Sequence, residues 1–300
     1  MGTIWQLTKR NLLIFFRDRI SVFFSFLTPL IVLLLYILFL GEVQIRSLED
    51  SLLSIPGMTS GMIKSFVDAW FLSSVLAVGA ISGSVSGAQI IVQDQAKRVY
   101  DDFLVTPTKA SSISISYFLS AVITSILIEL VVFLFTGLYL LIRGSLIFDF
   151  VVFGKILLLI IIGSISAVLF VLPAGKLFRS ESSFGGFIGL SSALSGFLLG
   201  AYMPPTMFPV FIQNIIALVP GAHVAALLRQ VTMSGPLNNM TTYIGLEATQ
   251  SLADGFSFHL NFFSNELGNI FSYLYIGGFI IICTIVNVIA FRKNSRGRNS

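Results

Sequence analysis

Apolar runs long enough to cross a bilayer constrain this chain more than any other feature. A helix rising 1.5 Å per residue needs roughly 20 apolar residues to span the hydrocarbon core. Residues 22–40, 70–92, 117–142 and 151–172 meet that length, and 183–202 and 271–291 add two more. In lipid every backbone N–H and C=O must find a partner within the protein, so such runs fold as helices. The composition agrees. With 55% hydrophobic and only 11% charged residues, the chain lies far from a soluble domain, which is about 45–50% apolar and about 25% charged. The expected fold class is an all-α polytopic membrane protein of six transmembrane helices. No internal repeat divides it, so residues 1–300 form one domain.

A further apolar stretch, 208–219, is bracketed by Pro204, Pro205, Pro209 and Pro220. At about a dozen residues it is too short to span, so the region 204–230 is expected to be re-entrant. A helix over Ala222–Gln230 follows, and the Gly/Pro/Asn-rich sequence after it points to an outer loop over 231–270.

The basic residues supply an orientation. Six spans starting inside put Lys9, Arg10, Arg17, Arg19, Lys97, Arg98, Lys109, Lys176, Arg179, Arg292, Lys293, Arg296 and Arg298 in the cytoplasm, 13 of the 18. Only Arg46, Lys64, Arg143, Lys155 and Arg229 remain outside. This positive-inside bias predicts cytoplasmic N- and C-termini and a multi-pass protein of the cytoplasmic membrane. It also makes the pI near 9.3 a sign of topology rather than of nucleic-acid binding. Arg229 is expected to snorkel to the outer headgroups. Ahead of the first span, residues 3–20 place Trp5, Leu12 and Phe16 on one helical face, with Arg10, Arg17 and Asp18 opposite and Arg19 beside them. That pattern reads as an interfacial helix lying on anionic lipid.

Between the second and third spans sits a charged segment, 93–109. It holds Asp94, Lys97, Arg98, Asp101, Asp102 and Lys109, interleaved with Val99, Tyr100, Phe103 and Leu104. The apolar residues lie close together on one side of a helix. A short amphipathic helix projecting from a membrane protein needs a surface to press against.

Enzymatic chemistry finds no footing. No phosphate-cradling loop exists, because Gly154-Lys155 and Gly175-Lys176 lack both the upstream glycine and the following hydroxyl. His223 and His259 are far apart without acidic or cysteine neighbours at ligand spacing, and Cys283 is the single cysteine. No catalytic residue and no metal site are therefore expected. Glu129, near the middle of the third span, costs about 2.5 kcal/mol or more to insert, so it is a functional candidate. It could line a cargo cavity, carry a proton, or make a helix–helix hydrogen bond. Gly79, Gly83 and Gly87, and the pairs Gly185/Gly189 and Gly196/Gly200, repeat every four residues and predict close helix packing.

Three motifs in order resemble one family. The start, Leu7-Thr-Lys-Arg-Asn-Leu-Leu-Ile-Phe-Phe-Arg-Asp-Arg19 with Phe23-Phe-Ser-Phe-Leu-Thr-Pro29, looks like the opening of ABC type-2 exporter permeases. Asp94, Lys97, Arg98 and Leu104-Val-Thr-Pro107 are similar to that family's cytoplasmic coupling helix, here about 94–105. The match departs at Val99-Tyr100-Asp101, where the family has Gly-Thr. Gly200-Ala-Tyr-Met-Pro-Pro-Thr-Met-Phe-Pro209 and Leu218-Val-Pro-Gly-Ala-His-Val-Ala-Ala-Leu-Leu-Arg229 resemble its broken fifth helix and re-entrant pair.

The resemblance implies a homodimer or heterodimer of permeases driven by a separate ATP-binding cassette subunit. ATP and magnesium would sit on that partner, with no cofactor on this chain. The partner would dock on the coupling helix, with Val99, Tyr100, Phe103 and Leu104 as apolar contact and Lys97, Arg98, Asp101 and Asp102 as charge register. The interfacial helix would assist. The family's dimer seam uses the first and fifth spans, which places Pro29, Gly196, Phe197 and Gly200 near it. His223 would make a structural hydrogen bond at the re-entrant turn. The expected activity is outward movement of an amphiphile such as a drug, antibiotic, peptide or lipid-like molecule, the territory of multidrug efflux and antibiotic resistance. An exporter of lipid-linked glycans is the alternative within the class. A secondary transporter and an immunity membrane protein stand outside it.

Overall fold

The computed structural model describes residues 2–106, 108–145 and 149–296. Helix α1 (Gly2–Arg17) turns after one residue into α2 (Arg19–Leu35). Asp18 makes that junction: its carboxylate accepts from the Ile20 and Ser21 amides at 3.1 and 3.2 Å and from Ser21 Oγ at 2.7 Å. These bonds satisfy donors that the first helical turn leaves open. With the Ser21 hydroxyl foremost, they hold the Asp18 carboxyl below its ordinary range. A π-helical turn at Tyr36–Leu40 joins α2 to α3 (Gly41–Leu52). The helix of the first expected span therefore continues past residue 40, where that span was expected to end.

Next come α4 (Ser60–Ala96), α5 (Val99–Val105), α6 (Ala110–Ile142), α7 (Phe150–Gly175) and α8 (Glu181–Leu198). A 3-10 turn at Pro205–Met207 leads to α9 (Val210–Ala217) and α10 (Pro220–Gly255). An antiparallel hairpin, β1 (Leu260–Phe262) and β2 (Asn265–Leu267), pairs Leu260 with Leu267 and precedes α11 (Asn269–Arg296).

Helix α4 is the axis of the bundle: 89% of its apolar window is buried, and α2, α6, α7, α8 and α10 pack around it. Its glycine face explains the closeness. A Cβ at Gly83 would lie 2.7 Å from Ser125 Cα, and one at Gly87 would lie 2.7 Å from Ala121 Cα. Ser125 Oγ donates to Ala80 O across that contact at 3.1 Å. Lipid offers no hydrophobic gradient between helices, so backbone proximity and such bonds hold them. Pro29 shows the same economy. Lacking an N–H, it cannot bond the carbonyl of Ser25 four residues back, and Ser82 Oγ of α4 donates to that oxygen at 2.7 Å instead. Pro29 is buried inside α2, so it braces α2 on α4.

Among the described residues, five helices are long and apolar enough to cross a membrane, and a sixth crossing arises if the α9–α10 pair, bent by 93°, counts as one. The fifth expected span, 183–202, appears as α8 but ends at Leu198. Its 18 residues rise about 27 Å, and its Gly and Ser content keeps it outside the apolar set. The expected outer loop 231–270 is also corrected. Helix α10 runs on to Gly255 with one break at Gly245 (φ 78°, ψ 167°). The second limb returns, because Phe256 packs edge-on against Phe66 and Trp70 and Thr232 Oγ1 donates to Ala69 O at 2.9 Å. A third correction concerns His259, which the fold places between Asp254 and Glu266 although the sequence showed no acidic neighbour at ligand spacing.

Candidate coupling site

At the end of the bundle that carries Lys97, Arg98 and Lys109, one side chain ties four helices together. Arg10 of α1 forms a two-pronged ion pair with Asp94, through Nη1 to Oδ2 and through Nη2 to Oδ1 at 2.8 Å. Paired parallel bonds of this kind combine strength with fixed geometry. The Tyr117 hydroxyl of α6 donates to the same Oδ2, and Asn11 Nδ2 reaches Ser120 Oγ at 3.4 Å. The Arg10 guanidinium carbon lies 5.2 Å from the Phe103 ring centroid in α5, within cation–π range. Asp94 is buried, and its hydrogen bonds with Arg10 raise the guanidinium further above its ordinary value.

This geometry corrects three expectations. Asp94 belongs to the end of α4 rather than to a coupling helix over 94–105, since α4 runs to Ala96 and α5 starts at Val99. Arg10 is held by Asp94 and does not face lipid headgroups. Phe103 is half-buried beneath Arg10 rather than standing free on α5. The break between α4 and α5 sits at Arg98, in the left-handed region (φ 60°, ψ 9°) that helix ends usually give to glycine.

What does project is Val105, 86% exposed, with Lys97, Arg98 and Asp102 exposed and Val99 half-buried. Lys97 Nζ lies 3.7 Å from Glu181 Oε1 at the start of α8. The side chains of Tyr100, Asp101 and Leu104 lie outside the described set, as does Pro107. In α1 the buried positions are Thr8, Asn11 and Phe15. Trp5, Phe16, Arg17 and Arg19 are exposed, so α1 keeps an aromatic and basic outer surface.

The remaining candidates separate by burial. Glu129 is fully enclosed between α4, α6 and α7: Oε2 accepts from Ser164 Oγ at 3.0 Å, and Gly79 leaves room for its Cγ. Of the three roles open to it, the geometry displays the helix–helix hydrogen bond. Gly196 and Gly200 pack inside the protomer. A Cβ on Gly196 would meet the Tyr202 ring at 2.1 Å, and Gly200 (φ +77°) lies against Arg229 and Pro205. Neither offers an open seam, whereas Phe197 is 45% exposed. Pro204 and Pro205 are buried beside this turn, and Pro220 opens α10, where its missing N–H costs nothing.

His223 Nε2 lies 2.8 Å from Ala217 O and Nδ1 lies 3.1 Å from Ser272 Oγ. Its ring stacks on Tyr275, joining the α9–α10 bend to α11. Arg229 does not snorkel. It is buried, with Nη1 donating to Ser257 O at 3.0 Å and Nη2 to Leu199 O, so it fastens the returning limb of α10 to the end of α8.

A cluster at the opposite end escaped the sequence. Asp68 of α4 is buried. It accepts from the Tyr36 hydroxyl and lies 3.8 Å from Arg143 Nε. Asp68, Ser65, Leu72, Leu140, Thr232 and Asn239 help line a cavity of about 490 Å³. The usable signal was an acid two residues before Trp70, too close to the apolar run to be a loop residue.

No curated protein and no solved structure matches the chain. A family model described as ABC-2 type transporter matches residues 2–233, from α1 through the Arg10–Asp94 junction and the bent pair into α10. The chain belongs to the ABC-2 type transporter family, as a multi-pass membrane permease domain.

Proposed function

We propose that this chain is the permease subunit of an ATP-driven exporter, that it works as a dimer, and that its ATP-binding partner docks on α5 and the turn at Arg98. The observation that supports docking there is the Arg10 junction. A push on α5 reaches Phe103, then Arg10, and through Asp94 and Tyr117 it reaches α4 and α6 at once. Packed interfaces of this type convert a small displacement into rigid-body motion. ATP and magnesium stay on the partner, where closure of two ATP-binding subunits supplies the stroke. The basic end then faces the cytoplasm, in a cytoplasmic membrane.

The second permease copy would meet α2 and α8. A side chain at Gly185, Gly186 or Gly189 would meet nothing within 4 Å, α2 touches α8, and Phe23, Phe24, Leu190 and Phe197 are exposed on these two helices. A seam lined by such aromatics suits an amphiphilic drug, antibiotic, peptide or lipid-like cargo.

Val105→Asp places a charge in the exposed apolar position without touching the Arg10 junction. Co-purification of the ATP-binding subunit from membranes should fall at least about tenfold, equivalent to about 1.4 kcal/mol, while the permease inserts normally. Undiminished co-purification together with undiminished transport would overturn the docking assignment.

A further inference from the structure

A two-stranded hairpin is marginal by itself, so something beyond the pairing of β1 and β2 has to fix it against α10. His259, the residue before β1, turns Nδ1 toward two carboxylates. Glu266 Oε1 of β2 is 2.5 Å away, and Asp254 Oδ1 in the last turn of α10 is 3.9 Å away. All three donor atoms lie within 4.8 Å of one another. The other ring nitrogen, Nε2, is 2.9 Å from Asn269 Oδ1 at the start of α11. An amide oxygen only accepts, so Nε2 donates to it and Nδ1 is the ring nitrogen turned to the carboxylates. That nitrogen is shut off from solvent and faces both carboxylates. Three possible ligand atoms thus converge on one point.

We propose that Asp254, His259 and Glu266 bind a zinc-class divalent cation that clips the hairpin to α10. Imidazole nitrogen and carboxylate oxygen both ligate zinc, with bonds of about 2.0–2.2 Å, and three protein ligands leave an open solvent-side position. Asp254 and Glu266 are half-exposed and can rotate to those distances. A nitrogen ligand favours zinc over calcium or magnesium, which prefer all-oxygen sites. Asn269 supplies the outer contact that fixes the tautomer and ring orientation of a ligating histidine. The ion would sit one residue from Gly255, whose carbonyl accepts from Thr206 Oγ1 at 2.8 Å. Its hold would therefore extend to the turn that Arg229 fastens.

The full chain is purified in detergent with a tag that contains no histidine, stripped with chelator, and titrated with Zn²⁺ against a chromophoric competitor. One equivalent should bind per chain, raise the thermal transition, and give tetrahedral visible bands when Co²⁺ replaces Zn²⁺. His259→Gln and the near-isosteric Glu266→Gln should each abolish saturable binding, and Asn269→Ala should weaken it about 10–100-fold. Glu266→Gln, with a wild-type elution profile, excludes misfolding as the cause. Failure of the wild type to bind a stoichiometric ion would overturn the proposal, as would equal binding by His259→Gln and Glu266→Gln. It would also fall if the cluster stabilised the chelated protein only at acid pH and zinc had no effect, because the trio would then be an imidazolium–carboxylate pair.

Discussion

Arg229 and Arg10 show two ways a charged side chain becomes structural in an apolar chain. Replacing Arg229 with Leu leaves Leu199 O and Ser257 O buried without a donor, at about 1–3 kcal/mol for each. The thermal transition in detergent should drop accordingly, and an unchanged transition would remove Arg229 from the role of fastener. Arg10→Lys keeps the charge but loses the two-pronged geometry. Permease insertion should persist while cargo-stimulated ATP hydrolysis by the partner declines. Asp18 gives a pH dependence. Its carboxyl is held below the usual value, so its cap stabilises fully above the unfolded value of about 3.9 and is lost as pH falls through the lowered one. Asp18→Ala should cost about 1 kcal/mol at neutral pH and remove that acid-side loss, as read by thermal unfolding across a pH series.

At the scale of elements, the contact between α4 and α6 depends on the absence of side chains. Gly83→Val would drive a Cβ to within 2.7 Å of Ser125 Cα, which is backbone and cannot swing aside. Overpacking of this kind costs about 1–3 kcal/mol, and a lower thermal transition with aggregation in detergent is the expected result. The fourfold glycine spacing was legible in the sequence, but its partner was not. The same holds for Pro29, visible inside an apolar run, whose freed carbonyl is satisfied only by Ser82 57 residues away. The turn at Arg98 could not be read either, because a left-handed residue was expected to be glycine and the family's Gly-Thr is missing here. The helix boundaries near Gly41 and Ser234 were misplaced for one reason. Polar residues there looked like loop, yet α3 and α10 stay helical because neighbouring helices cover their apolar sides.

For the whole molecule, the proposal that a second copy meets the open glycines of α8 is tested by crosslinking. In a Cys283→Ser background, Gly189→Cys should give an oxidant-dependent crosslinked dimer in membranes. Leu134→Cys, on an exposed face of α6, should not. The reverse pattern would move the seam away from α8.

The sequence by itself determined that this chain is helical, crosses a membrane several times and carries a charged crossover, because hydropathy and charge asymmetry act locally along the chain. It also displayed the motifs of the family to which the chain belongs. Tertiary structure alone decided what the polar residues do. Whether Arg10 meets lipid or Asp94, whether Arg229 reaches water or two buried carbonyls, and whether His259 finds carboxylates all depend on contacts between segments distant along the chain or folded back on themselves. In a low-dielectric interior an unpaired polar group is costly, so each such residue takes the partner that packing brings within reach, and that partner is written in no single stretch of sequence.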